Sequence, residues 1–516
     1  MAQEETNYLD SRPQTADIGK DDSRHMTKAP TVSYEPVIGL EVHVQLKTAT
    51  KLFCGCSAKF GATANSQTCP VCLGLPGVLP VLNERALQWG IKVALTFDCQ
   101  IAPLMKFDRK QYFYPDLPKN YQISQYDQPL AQHGHLDITV DGQTKRIRIR
   151  RIHMEEDAGK LLHDAHETAS FVDFNRTGVP LLEIVSEPDL RSPEEAYQYL
   201  IELKAIIEYL DVSTCNMEEG SLRCDTNVSL RSAGATTLGS KVEVKNLNSF
   251  RAVKLAVEHE VKRQAAALDR GERIPQETRL WDAKGLKTES MRSKEEAADY
   301  RYFPEPDLVP FTLAPAQIET VKRQLPELPA QRAQRFQREY QLSAYDAGVM
   351  RQHRVLADLF EGAIAAGAKP KPVANWIMGD LMAYLNARKR EPEQIQIRPE
   401  WLAHLIQSIE GGRISGKMAK ELFGQMVEQR RDPAELIEQG DLRQIVEPAA
   451  LEQIAEAVIA ANPNSVEAYL KGKTNALTFL MGQAMKQSQG KANPQQMTEL
   501  LKRKLEPMKL KPAEGG

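Results

Sequence analysis

The residue pattern of this chain changes once, near residue 310, and that change limits the folds available to it. Residues 34 to 310 alternate β-rich runs with a few helices, whereas the remainder is rich in Ala, Leu, Glu, Gln, Arg and Lys with helical periodicity. Between them, the segment from Tyr302 to Pro310 holds three prolines in nine residues, which interrupt any helix. The sequence therefore predicts an α+β unit followed by an all-helical region.

Composition narrows the class of protein. With 516 residues and 42% hydrophobic content, the chain can bury more than one core. No apolar run approaches the roughly 18 residues of a membrane span, and residues 1–33 are predicted to be a disordered extension. Seven cysteines without a signal peptide favour a reducing cytosol, so we expect a cytoplasmic protein. Because the net charge is −3, any nucleic-acid contact must come from a local basic patch.

A strongly apolar strand is predicted over residues 36–46. Alternate side chains point to opposite faces, so the apolar residues share one face while Glu41 and His43 share the other. A carboxylate beside an imidazole suits a divalent cation or acid–base chemistry and is a poor choice for burial unless its charge is compensated. For this strand alone, a polar face that meets water is the alternative.

Two further extended runs carry side chains of the same kind. His153 and Glu155 share a strand face, Glu156 follows them, and Glu183 interrupts an apolar run. Taken singly, each is an ordinary salt-bridge partner. Because buried carboxylates are costly unless paired or bound to metal, their recurrence on three strands favours a Mg²⁺ site where the strands converge.

Four of the cysteines form two close pairs, Cys54 with Cys56 and Cys69 with Cys72. Tetrahedral zinc takes four such soft ligands, so the loop 54–72 is predicted to bind structural zinc. Buried free thiols and redox chemistry are the alternatives. Four thiolates would leave no open coordination position, which argues against catalysis by this metal.

Two basic segments are candidates for contact with phosphate or RNA. Lys110 and Lys119 lie in a predicted loop where basic residues alternate with aromatics and prolines, which suits a clamp for a triphosphate or an RNA end. A rigid surface loop is the alternative. Residues 471–516 hold nine Lys or Arg against three Glu, and Lys486 and Lys491 cluster around a turn between predicted helices. A solvated surface is the alternative there. The chain has no Walker A sequence, which argues against a P-loop fold.

Together these motifs closely resemble one family, the B subunit of the aspartyl/glutamyl-tRNA(Asn/Gln) amidotransferase. The resemblance covers about residues 34 to 505. The matching stretches are Ile38–Leu46, Lys110–Lys119, His153–Lys160, Asp173–Gly178, Leu182–Asp189, Glu218–Asp225 and Lys241–Asn248.

The resemblance implies a cradle-shaped catalytic domain over 34–310, a helical domain over 311–440 and a helical tail over 441–516 that contacts tRNA. It also implies a ligase reaction in which ATP phosphorylates the side-chain carboxylate of mischarged Glu-tRNA(Gln) or Asp-tRNA(Asn), after which ammonia displaces phosphate. By match to the family site, the Mg²⁺ ligands are Glu41, His43, Glu156 and Glu183, with Glu155 as the substitute. Lys110 and Lys119 are matched to the ATP phosphates.

The family draws ammonia from a separate amidase A subunit and has a small C subunit around both, so the resemblance implies these partners. No Gly-Gly-Ser-Ser stretch of the amidase type occurs in this chain, and we expect it to lack glutaminase activity. One alternative is a scaffold that binds tRNA while a partner performs the phosphorylation. Another is the related tRNA(Gln)-restricted subunit, but its synthetase-like insertion has no room here.

Overall fold

The computed structural model describes residues 33–163, 169–293, 300–439, 445 and 447–509. The extension predicted over residues 1–33 therefore lies almost wholly outside the described residues. Within them, a mixed α and β unit is followed by a helical region, which confirms the fold class expected from the residue pattern. No described helix combines the length and the hydrophobicity needed to cross a membrane.

The strands of the first unit begin with a long one, β1, at Tyr34–Gln45. The others are β2 Gln100–Ile101, β3 Leu104–Met105, β4 Asp108–Gln111, β5 Tyr121–Ser124, β6 Ala131–Val140, β7 Gln143–Glu156, β8 Lys160–His163, β9 Ser170–Asp173, β10 Pro180–Ser186, β11 Leu222–Ser232, β12 Val242–Lys245, β13 Glu277–Asp282, β14 Lys287–Ser293, β15 Phe303–Pro304 and β16 Phe311–Thr312.

One large sheet organises this unit. In the described residues it has nine strands in the order β14-β13-β12-β11-β1-β10-β7-β6-β2. Strand β1 lies near the centre and pairs antiparallel with β10 on one side and β11 on the other. Strand β10 in turn pairs antiparallel with β7. The three strands that carry the predicted acidic and imidazole side chains are therefore immediate neighbours.

Helices cover one face of this sheet. They are α2 Glu84–Thr96, α3 Pro193–Leu210 and α4 Phe250–Asp269, whereas the short helix α1 Pro70–Leu73 lies at the end of the cysteine loop. The apolar residues of β1, such as Leu40, Val42 and Val44, are buried on this side in a core shared with α3 and α4. Helix α3 begins at a local capping signal, because the Ser192 side chain accepts a hydrogen bond from the Glu195 backbone N–H and a proline follows the cap.

The rest of the chain is helical. Its helices are α5 Pro315–Arg323, α6 Pro329–Tyr340, α7 Ala344–Met350, α8 Arg354–Ala365, α9 Pro370–Trp376, α10 Met382–Ala387, α11 Pro399–Glu410, α12 Gly416–Gln429, α13 Pro433–Gln439, α14 Pro448–Ala461, α15 Pro463–Leu470, α16 Asn475–Gln487 and α17 Pro494–Lys509. A π-helical turn at Ile377–Leu381 joins α9 to α10, and a 3₁₀ turn at Pro392–Gln394 precedes α11. Helices α6 to α13 share one core, and α14 to α17 share another.

The proline-rich segment near residue 310 is tied to the first unit. Phe303–Pro304 pairs with β4, and Phe311–Thr312 pairs with β3. Apolar residues as late as Leu325 and Leu328 pack against the first core. Proline breaks a helix without ending a packing unit, so contacts of the sheet unit continue past residue 310.

Candidate active site

Strand register places the predicted ligands in a row across three strands. His43 on β1 lies opposite Glu183 on β10, and Glu183 lies opposite His153 on β7. Since alternate residues of a strand share a face, Glu155 joins the same side as His153. This face is the one opposite the helices. The sheet thus brings two imidazoles and two carboxylates into contact.

The distances within this cluster are short. Oε2 of Glu183 lies 3.1 Å from Nε2 of His153 and 3.5 Å from Nε2 of His43. The carboxylate of Glu155 lies 3.6 Å from Nε2 of His153 and 3.8 Å from Nε2 of His43. The His43 side chain is 19% exposed, whereas the other three are buried. One ligand atom each from His43, Glu155 and Glu183 lies within 4.8 Å of the others, which suits a single cation.

Electrostatics favour the charged forms of these groups. Burial lowers the pKa of His43 and of His153, but the carboxylates of Glu183 and Glu155 outweigh burial and raise both values, that of His153 to about 9. Burial acts in the opposite direction on Glu183, yet His153 and His43 hold its pKa well below the ordinary range. The carboxylates are therefore ionised at neutral pH, and a cation bound by them would take the place of the His43 proton.

A cavity of about 890 Å³ opens over this cluster. Glu41, His43, Lys110, His153 and Glu183 line it, together with the basic and aromatic residues Arg150, Arg151, Tyr112, Tyr300 and Tyr302. Burial lowers the pKa of Lys110, but Glu155 and other neighbours outweigh it and raise the pKa above the ordinary value, so the ammonium is retained. Its Nζ atom lies 5.0 Å from the Tyr300 ring centroid. Carboxylates, cationic side chains and aromatic rings thus all line this cavity.

Glu41 lines this cavity without joining the His43 cluster. Its carboxylate accepts a hydrogen bond of 2.8 Å from Nδ2 of Asn227 on β11. Glu41 is two residues from His43, so it shares the strand face but lies farther along β1. The structure therefore places it at the wall of the site.

Glu156 and Lys119 differ from the sequence expectation, because the structure does not bring them to the His43 cluster. Glu156 follows Glu155 directly and so points to the opposite face of β7. There it forms a buried ion pair with Lys119 and accepts a 3.0 Å hydrogen bond from the Ile123 backbone N–H. Both side chains line a separate cavity of about 190 Å³.

Some residues that line the large cavity were not predicted from the sequence. Tyr300 lies outside any regular element, and it meets the site because the segment around residue 303 pairs with β4. Tyr300 packs edge-on against Tyr112 and Tyr302 with ring centroids 5.9 and 6.3 Å apart. Aromatic residues beside the proline-rich segment were the available clue, but the chain pairing that brings them to Lys110 is long-range.

The four predicted zinc ligands come together. Sulfur atoms of Cys54, Cys56, Cys69 and Cys72 lie within 4.8 Å of one another. The Lys51 ammonium lies 3.6 Å from Sγ of Cys72, and a hydrogen bond with Cys54 together with this cation lowers the pKa of the Cys72 thiol. Four soft donors at one point fit a closed tetrahedral zinc site. Cys54 and Cys72 line the smaller cavity and do not reach the His43 cluster.

The predicted tRNA-contacting lysines flank a turn in the last helical unit. Lys486 is exposed near the end of α16, and Lys491 lies between α16 and α17. Gly490 adopts a left-handed backbone with φ of +80° in this turn, a conformation that glycine accepts without strain. Lys486 and Lys491 therefore lie on either side of this turn, Lys486 in the last turn of α16 and Lys491 before α17.

Comparison with known proteins identifies the family. A model described as the GatB/GatE catalytic domain matches residues 36–319, and one described as a GatB domain matches residues 358–505. The B subunit of the aspartyl/glutamyl-tRNA(Asn/Gln) amidotransferase of Moorella thermoacetica is 56% identical over 92% of this chain and 100% of its own length. The chain belongs to this family of B subunits. The corresponding B subunits of Carboxydothermus hydrogenoformans and Thermosynechococcus vestitus are 54% and 52% identical, over 92% and 93% of this chain and 99% and 98% of their own lengths.

The family assignment confirms the resemblance drawn from the motifs. The catalytic-domain match includes the nine-stranded sheet from residue 36 onward, the large cavity and the cysteine loop. It extends to residue 319 and so includes β16 and part of α5, in agreement with their packing against the first unit. The second match covers α9 to α16 whole and most of α8 and α17.

Proposed function

We propose that this chain is the B subunit of an aspartyl/glutamyl-tRNA(Asn/Gln) amidotransferase and performs its ATP-dependent activation step. In that step, the side-chain carboxylate of Glu-tRNA(Gln) or Asp-tRNA(Asn) attacks the γ-phosphorus of ATP and ADP leaves. Ammonia then attacks the acyl phosphate and releases inorganic phosphate, which yields the amide. The observation that carries this proposal is one cavity in which His43, His153 and Glu183 lie together with Lys110, with the buried Glu155 in contact with His43, in a member of this family.

The chemistry explains why such a cavity is needed. A carboxylate resists attack by ammonia because its oxygen is a poor leaving group, and phosphorylation turns that oxygen into a good one. Lys110 holds phosphate oxygens through its retained positive charge, and Arg150 and Arg151 add cations along the wall. Stabilisation of phosphoryl transfer by fixed charges is mainly positioning and electrostatics.

We propose Mg²⁺ as the cation of this site, held by His43, Glu155 and Glu183, with Glu41 at the cavity wall. The fit rests on the donor set, which is rich in carboxylate oxygen, and on the contact distances. His153 has a buried Nδ1 atom that makes no hydrogen bond among the described residues, and its Nε2 atom orients Glu183. When bound, Mg²⁺ supplies charge neutralisation for the triphosphate. Glu155 replaces Glu156 in the set expected from sequence.

Lys119 has a different role in this proposal from the one expected by sequence. Its ammonium is paired with Glu156 on the other face of β7, so it is not directed at phosphate in the large cavity. We propose that this pair holds β5 against β7, because Glu156 also accepts the backbone hydrogen bond of Ile123 on β5. Lys110 is then the phosphate-binding lysine of this loop.

The partners follow from the proposed reaction. We propose that an amidase A subunit supplies ammonia, that a small C subunit holds the complex together, and that mischarged tRNA is bound in part by the tail through Lys486 and Lys491. A cytoplasmic location is part of the same proposal. Support comes from the relatives, whose names make them B subunits and so imply a complex of several subunits acting on tRNA.

The test uses the reconstituted complex. Each mischarged tRNA is incubated with ATP and glutamine, with this chain included or omitted, and amide formation is measured. Phosphorylation is measured separately as ADP formed in the absence of an ammonia source. We expect His43→Ala to reduce that step by roughly 100-fold, because a ligand of the charge-stabilising site is lost. His135→Ala, on β6 beside Asp98, is the control and keeps full activity.

A scaffold subunit would give a different result. If the kinase step belonged to a partner, His43→Ala would keep full ATP-dependent phosphorylation while tRNA binding remained normal. That outcome would refute the catalytic proposal for this cavity.

Structural zinc in the cysteine loop is also a proposal, and it has its own test. We expect Cys69→Ser to release zinc, measured by elemental analysis, and to increase proteolysis within residues 54–72 because the four-ligand site pins the loop. Cys99→Ser is the control, since Cys99 is buried outside the cluster. Equal zinc content in parent and Cys69→Ser proteins would contradict the assignment.

A further inference from the structure

A second cluster of an imidazole and two carboxylates lies where the sheet unit meets the helical region. Glu208 comes from the last turn of α3, His353 immediately precedes α8, and Glu393 lies in the 3₁₀ turn before α11. Nδ1 of His353 lies 2.8 Å from Oε1 of Glu393 and 3.7 Å from Oε2 of Glu208. One ligand atom from each residue lies within 4.8 Å of the other two.

Glu208 presents an unsatisfied oxygen to this point. Its side chain is only 8% exposed, and its Oε2 atom makes no hydrogen bond among the described residues. Its other oxygen lies 3.4 Å from the Lys204 ammonium, which leaves Oε2 directed towards His353. A buried carboxylate oxygen without a partner costs free energy, so this atom indicates a ligand.

The charges around the cluster leave a deficit of positive charge. Three carboxylates, those of Glu208, Glu391 and Glu393, influence the single Lys204 ammonium. A cation bound between Glu208 and Glu393 would reduce the repulsion between these two carboxylates.

The end of α3 favours the same occupant. Glu208 lies at the C-terminal end of α3, where the partial negative charge of the helix attracts a cation.

We propose that Glu208, His353 and Glu393 bind a zinc ion. One imidazole nitrogen and two carboxylate oxygens are ligand types that zinc takes at sites with three protein ligands. Glu393 is 41% exposed, so the ion has a route from solvent and space for a water ligand. This site is separate from both the cysteine loop and the His43 cavity.

The site would connect the two units of the chain. Glu208 belongs to the sheet unit, whereas His353 and Glu393 belong to the helical region. The neighbouring ion pair of Glu202 on α3 with Arg351, which also joins the two regions, lies at the same junction. A metal at this point would therefore restrict movement of the helical region relative to the catalytic cavity.

The experiment measures zinc on the full-length chain. Parent and variant proteins are equilibrated with zinc, dialysed against zinc-free buffer and analysed for metal content. We expect Glu393→Gln and His353→Ala each to contain about one zinc ion less than the parent, since each removes a ligand. His404→Ala is the matched control, because His404 pairs with Asp432 at 2.8 Å but has no third ligand in the described metal groups. It keeps the parental zinc content.

Cobalt substitution separates this site from the cysteine loop. Thiolate-to-cobalt absorption reports the cysteines alone, so we expect it to be unchanged in Glu393→Gln while total cobalt falls. Since Glu393 is substantially exposed, this variant is the one expected to fold normally, which circular dichroism verifies. Zinc contents of folded Glu393→Gln and His353→Ala equal to that of the parent would overturn the proposal.

Discussion

At the scale of single residues, alternation along β7 decides which carboxylate joins the His43 cluster. Glu155 and Glu156 are adjacent and both buried, yet one contacts His43 and the other pairs with Lys119. Their chemical identity is the same, so only the face of the strand separates their roles. The sequence match named Glu156 first with Glu155 as the substitute, and the structure places Glu155 at the His43 cluster.

We expect the two carboxylates to respond differently to the same substitution. Glu155→Gln removes a charge from the His43 cluster and should reduce ATP-dependent phosphorylation by roughly 100-fold. Glu156→Gln keeps that cluster intact, so phosphorylation should stay within a few-fold of the parent. ADP formation with mischarged tRNA and no ammonia source measures both. Equal loss in the two variants would mean that the face of β7 does not define the site.

At the scale of elements, buried polar pairs hold helices to the sheet edge. Glu260 on α4 is fully buried and accepts hydrogen bonds from Nε and Nη2 of Arg263 at 2.9 and 2.8 Å, and one from the Thr288 hydroxyl on β14. Arg279 on β13 lies 3.3 Å from the same carboxylate. Burial raises the pKa of Glu260, but these hydrogen bonds outweigh burial and lower it. The ionised form therefore stabilises the contact of α4 with β13 and β14.

This contact predicts a pH-dependent effect on stability. We expect Glu260→Gln to lower the free energy of unfolding at neutral pH by about 2 kcal/mol, since hydrogen bonds to a charged group are weakened. A lowered pKa contributes stability above the unfolded-state value of about 4.3, and that contribution disappears as pH falls through the lower folded value. The difference between variant and parent should therefore shrink below about pH 4.

Urea unfolding followed by circular dichroism at several pH values measures this difference. Glu258→Gln is the control, because Glu258 lies on the same helix but pairs with Lys262 at the surface. It should leave stability nearly unchanged. A Glu260→Gln difference that grew on acidification would contradict the sign of the pKa shift.

At the scale of the whole molecule, the large cavity lies in the sheet unit, whereas the turn beside Lys486 and Lys491 lies in the last helical unit. A tRNA that reaches both would be held by its acceptor end in the cavity and by phosphate contacts at the turn. The net charge of −3 gives the protein no general attraction for tRNA, so predicted binding at the turn depends on Lys486 and Lys491.

We expect Lys486→Glu combined with Lys491→Glu to weaken tRNA binding and to reduce the magnitude of the salt slope by about 2, as for two lost phosphate contacts. Binding is measured for the reconstituted complex across a range of salt concentrations. The charge-matched control is Lys262→Glu combined with Lys284→Glu on the sheet unit. If the two double variants showed the same affinity and slope, the lysines of the turn would be merely solvated.

Much of the fold could be predicted because its signals are local. The apolar alternation of β1, the Ser192 cap and the following proline, and the composition change near residue 310 each act through neighbours in the chain. The cysteine spacing likewise predicted a cluster that the loop geometry forms. The C-terminal limit of the first packing unit was harder to predict, because β15 and β16 pair with strands about 200 residues earlier in the sequence.

The sequence by itself determined the family of this protein, its order of α+β and helical regions, and the residue types available for its chemistry. Only the tertiary structure decided that Glu155 lies beside His43, that Lys119 forms an ion pair with Glu156, and that Glu208 lies close to His353 and Glu393. The physical reason is distance along the chain. Strand register and helix packing bring together residues separated by tens of positions or, for His43 and Glu155, by more than a hundred, and no local sequence pattern indicates which side chains will meet.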